Sequence, residues 1–95
     1  MLTKIIGAGV SVAALTVLTA FSGQAAPPDF CREYATAAIN QVRAALANPG
    51  CASVRGPRWL QNEDIHYKWC LTQPIPMVES EHGARTAYLR ACRGM

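Results

Sequence analysis

The apolar positions of this chain fall into one unbroken run followed by three periodic stretches. Ile5 to Phe21 is apolar or small throughout and carries no charge. From Phe30 to Ala47 the apolar residues Cys31, Ala35, Ala38, Val42 and Ala45 recur at steps of four and three, flanked by Ile39 and Leu46. That is the stripe of an amphipathic helix, with Arg32, Glu33, Thr36, Asn40 and Arg43 mostly off it. Asp29 is positioned to cap its first turn, and Asn48-Pro49-Gly50 ends it. A second, shorter helix is predicted after Asn62, a good N-cap, with Glu63 and Asp64 in the first turn where the helix dipole favours negative charge. It places Ile65 and Trp69 on one face and His66 and Cys70 on the next, and Pro74 and Pro76 end it. A third helix is predicted from Ile75 or Pro76 to Arg93, with Met77, Ala84, Ala87, Tyr88, Ala91 and Cys92 facing inward. Glu81 and Arg85 stand one turn apart on it, the spacing of an exposed ion pair. No period-2 alternation appears, so the expected class is all-α, a small three-helix domain.

The uncharged run changes the picture of where the chain resides. Lys4 precedes it, and Gly23 and Ala25 supply small residues at −3 and −1 of a cleavage point after Ala25. Residues 1–25 therefore read as a signal peptide and 26–95 as the mature domain, with no membrane span left after cleavage. Cys31 follows Pro28-Asp29-Phe30, which is no lipid-attachment context. The mature segment has eight Lys or Arg, seven of them arginine, against six Asp or Glu. A balance so close to neutral, and so scattered, gives no footprint for nucleic acid.

Four cysteines, Cys31, Cys51, Cys70 and Cys92, all lie in the mature segment at spacings of 20, 19 and 22 residues. A 70-residue domain buries little apolar surface, and an even cysteine count in an exported chain reads as a disulfide framework. Cys31 and Cys51 sit at opposite ends of the first helix, about 25 Å apart by helical rise. A disulfide needs Cα atoms within about 7 Å. Pairs 31–51 and 70–92 are thereby excluded. Helices running up, down, up give 31–70 with 51–92; a crossing 51–61 loop gives 31–92 with 51–70.

The pattern Cys31, Tyr34-Ala35, Gln41, Cys51, Gly56-Pro57-Arg58-Trp59, His66, Trp69-Cys70, Glu79, Arg85, Leu89 and Cys92 resembles small exported four-cysteine proteins of proteobacteria that are generally described as hypothetical. The resemblance spans the mature chain and is strongest from Arg58-Trp59 to Trp69-Cys70. It implies a helical, disulfide-linked periplasmic or secreted module, and it carries no activity to any position.

Candidate chemistry gathers in two places. Arg55, Arg58 and Trp59 flank the Gly56-Pro57 turn, and Trp and Arg are the types most enriched at recognition hot spots. In the bland alternative Trp59 fills a core short of large side chains and Arg58 pairs with Glu63 or Asp64. His66, Trp69 and Cys70 form the other cluster, one turn apart on a helix. Without a CxxC or a second His/Cys pair, a core histidine beside a structural disulfide outweighs a metal or redox site there. Glu79, Glu81 and Arg85 read as a solvated cluster. No nucleophile–base arrangement is visible. The expectation is a periplasmic or secreted, non-catalytic binding module with no cofactor. Arg55, Arg58, Trp59 and His66 are its candidate contacts, and a protein or cell-envelope glycan its partner. The alternative is a structural or stress-related envelope protein without a ligand site.

Overall fold

A computed structural model describes residues 23–93. Most of the predicted signal peptide, residues 1–22, lies outside the described residues. The described chain is all-α: α1 (Pro28–Ala47), a single 3-10 turn (Pro57–Trp59), α2 (Glu63–Cys70) and α3 (Ile75–Arg93). Among the described residues there is no strand, and no helix is long and apolar enough to cross a membrane.

Each helix begins for a local reason. Asp29 does not cap α1, as the sequence suggested. The helix opens on Pro28, whose fixed φ suits the first helical position, and Asp29 falls inside the first turn. Helix α2 is capped as expected, the Asn62 side-chain oxygen accepting from the Ile65 N–H at 3.1 Å. Ahead of α1, Ala26 is buried and its N–H donates to the Gln73 carbonyl at 2.8 Å, tying the lead-in to the α2–α3 connection.

Two disulfides close the ends. Cys31–Cys70 joins the start of α1 to the end of α2, and Cys51–Cys92 joins the segment after α1 to the end of α3, with Cα separations of 5.5 and 5.2 Å. This is the pairing of the up, down, up arrangement. Two disulfides fit an oxidising compartment outside the cytoplasm. Gly50 is required at the second closure: a Cβ there would lie 2.7 Å from the Cys92 carbonyl oxygen.

The buried face of α1 follows the predicted stripe, with Tyr34 and Ile39 added. The face of α3 does not. Val78, Arg85, Leu89 and Cys92 are the buried positions, whereas Met77, Ala87 and Ala91 are exposed. The predicted stripe was rotated by about one residue, because a face drawn through Val78, Leu89 and Cys92 also runs through an arginine.

Candidate functional site

Arg85 is the largest fully buried side chain among the described residues, with no accessible surface. A cation in such a place must be hydrogen-bonded and compensated. Its Nε donates to Gln41 Oε1 at 2.7 Å, and its Nη2 donates to the Tyr34 hydroxyl at 2.7 Å. Its Nη1 reaches the Arg58 carbonyl at 3.4 Å and lies 3.7 Å from Glu81 Oε2. The exposed ion pair expected of Glu81 and Arg85 is thus corrected: Arg85 is a buried strut between α1, α3 and the 57–59 turn. Gln41 completes it, its Nε2 donating to Thr86 Oγ1 at 2.9 Å and to the His82 carbonyl at 3.2 Å. No buried side-chain nitrogen or oxygen among the described residues lacks a partner.

Above this strut opens a cleft of about 490 Å³. Its lining brings together all four candidate contacts read from the sequence, Arg55, Arg58, Trp59 and His66, with Arg85 and Tyr34 from the strut. Glu81, Ile65 and Trp69 complete its sides. The 3-10 turn carries Arg58 toward α3, so its partner is Glu81, not Glu63 or Asp64. Arg58 Nε and Nη2 donate to the two Glu81 oxygens at 2.7 and 3.2 Å. Glu63 instead accepts from the Thr36 hydroxyl, and Asp64 pairs with Lys68 at the surface.

The aromatic groups belong both to core and to cleft. Trp59 is half-buried and packs on Tyr88 with ring centroids 5.1 Å apart, the core role weighed for it above. Trp69 packs on Tyr34 at 5.8 Å, next to the Cys31–Cys70 bridge. His66 is buried and its Nε2 lies 2.8 Å from the Leu60 carbonyl. A carbonyl only accepts, so His66 Nε2 carries a proton and donates it to Leu60. Cys70, one turn on, is locked in its disulfide. Among the described residues no group of three His, Cys, Asp or Glu converges to hold a metal ion.

Electrostatically the lining is lopsided. Three guanidinium groups face one carboxylate, a surplus of two positive charges from these groups. Hydrogen bonding to Glu81 raises the Arg58 pKa further, so its charge is permanent. Burial raises the Tyr34 phenol above 10.0, against the opposing pull of Arg85, so it stays protonated at neutral pH. Its oxygen accepts from Arg85, and its own proton is available to an acceptor in the cleft. Arg58 Nη1 makes no hydrogen bond among the described residues, and Arg55 bonds only the neighbouring Val54 carbonyl. Such a surface can hold an anionic ligand against aromatic walls. Comparison with known proteins finds no match to this chain, whether among family models, curated proteins or solved structures.

Proposed function

We propose that the protein is a non-catalytic binding module of the periplasm or the secreted space, and that the Arg85-floored cleft is its recognition site. The observation that carries this reading is the convergence of Arg55, Arg58, Trp59 and His66 on one concave surface of about 490 Å³. Binding pockets are typically concave, aromatic-lined and furnished with a few placed polar groups. The cleft fits that description, and its polar groups are held by packed helices rather than by loops alone.

Recognition rather than reaction suits the chemistry of the lining. The carboxylate of the lining, Glu81, is engaged by two arginines, and its imidazole, His66, has Nε2 committed to Leu60. All four cysteines are bridged, and no serine or threonine lines the cleft. A nucleophile with a free base beside it is what hydrolytic or transfer chemistry would require.

The test is a screen of mixed sugars, short peptides and small carboxylates against ¹⁵N-labelled protein by NMR. Perturbations clustered on residues 55–60, 65–69 and 81–85 are the expected result. Perturbations confined to other surfaces, or a self-associating protein in sedimentation with none at the cleft, would overturn the reading in favour of a structural envelope protein.

A further inference from the structure

The cleft already binds a carboxylate, its own. Glu81 is held by two parallel N–H···O bonds from Arg58, the fork geometry in which a guanidinium matches a planar two-oxygen anion. One internal carboxylate leaves the lining with two positive charges in surplus, and the donors that remain are Arg58 Nη1, the Arg55 guanidinium and the Tyr34 hydroxyl. Beside them stand the half-buried rings of Trp59 and Trp69. Resting on the binding-module reading of this same cleft, we propose that it takes a carboxylated sugar residue of an acidic glycan. The sugar ring lies against the tryptophans, and its carboxylate lies among Arg55, Arg58 and Tyr34.

Two considerations favour a sugar acid over an acidic peptide. Extended peptides are commonly recognised by pairing with a free strand edge and helical ones by a long apolar groove; arginine clusters also take acidic motifs, and it is the aromatic wall beside these arginines that favours a sugar ring. The described residues contain no strand, and three arginines and a glutamate interrupt the apolar walls of the cleft. A ring whose one face is C–H and whose edge is carboxylate matches an aromatic wall with cations at its end. The Arg58–Glu81 pair gives the site its selectivity. Glu81 repels an anion that approaches on its side and pins Arg58 so that Nη1 is presented in one direction.

Isothermal titration with tri-galacturonate tests this directly, with the carboxyl-reduced trisaccharide, tri-glutamate and inorganic phosphate as comparisons. Tri-galacturonate is expected to bind at least about tenfold more tightly than the reduced sugar, the scale of a charge-assisted hydrogen bond. Its affinity should fall with added salt. Arg58→Ala and Arg55→Ala should each weaken it about tenfold with the melting curve unchanged, because both arginines are exposed. Glu81→Gln keeps an acceptor for Arg58 while removing the competing charge, and should tighten binding. Equal binding of the reduced sugar, tighter binding of tri-glutamate, or phosphate reproducing the effect alone would each overturn the acidic-glycan assignment. If a different ligand then perturbs the same residues, the binding module stands and only its ligand class is wrong. If no probe reaches the cleft, both readings fall.

Discussion

Around Cys31–Cys70, the bridge lies among buried Ala26, Tyr34, Ala38 and Val78, with Phe30, Tyr67, Trp69 and Leu71 packed onto them. Around Cys51–Cys92, only Ala45 and Leu89 are buried beside the bridge, and Val54, Trp59 and Tyr88 cover it. The two bridges span 39 and 41 residues, so in the chain-entropy account each contributes about 4 kcal/mol. What differs is what holds each end once its bridge is cut. The first end keeps two packed helices and a layer of aromatic rings. The second keeps an irregular segment, residues 51–61, whose only regular piece is one 3-10 turn. One end is packed and stapled, the other mainly stapled. The cleft draws Tyr34 and Trp69 from the packed end and Arg58 and Trp59 from the stapled one, with Arg85 spanning the gap. In the proposed reading, the contacts carried by the less secured end are the ones free to adjust to a ligand.

The largest expected effect comes from cutting the bridges separately. Cys51→Ala/Cys92→Ala should lose about 4 kcal/mol in denaturant melts, and amide exchange should show residues 48–61 opening while α1 and α2 stay associated. Cys31→Ala/Cys70→Ala should lose a similar amount globally but leave α1 and α2 in contact through their aromatic layer. Uniform collapse in both would erase the distinction between the ends. Arg85→Ala comes next, at about 3 kcal/mol, since it empties a fully buried position and removes the donor to the Tyr34 hydroxyl and to half-buried Gln41 Oε1. Gly50→Ala should cost about 1–3 kcal/mol by thrusting a methyl at the Cys92 carbonyl. A thermal melt that matches the parent would show that this end yields easily. Arg58→Ala should change stability by less than about 1 kcal/mol, because its pair with Glu81 is partly solvated.

A last, small effect concerns pH. Tyr34 ionises in the unfolded chain near pH 10 and only above that in the folded one. The folded state therefore holds the proton longer, and the stability Tyr34 contributes is complete below pH 10 and lost as pH rises through the folded value. Melting points of Tyr34→Phe and the parent, compared from pH 8 to 11, should converge on the alkaline side if this is right.

Much of the scaffold was legible in the order of residues. The stripe from Cys31 to Ala45 fixed α1, the Asn62-Glu63-Asp64 run fixed the start of α2, and helix length alone eliminated one of three cysteine pairings. The bend of the chain at 57–59 was also visible, as were four residues that line the cleft, Arg55, Arg58, Trp59 and His66. Two things were not. The inward face of α3 was misplaced because periodicity counts apolar residues, and the position that anchors this face is an arginine. Val78, Arg85, Leu89 and Cys92 at steps of seven, four and three carry the signal, but only to a reader who allows a cation in the core. The partner of Arg58 was missed because Glu81 is 23 residues away in sequence. Nearby Glu63 and Asp64 are satisfied by Thr36 and Lys68 instead. Local reasoning finds helices and caps; it does not see which distant carboxylate a turn will face.

The most direct test of the account is amide hydrogen exchange on the intact, oxidised protein with and without saturating tri-galacturonate. The account predicts slowed exchange across residues 55–60, 65–69 and 81–85, with the start of α1 unchanged. No slowing there, or slowing confined to the start of α1, would contradict it.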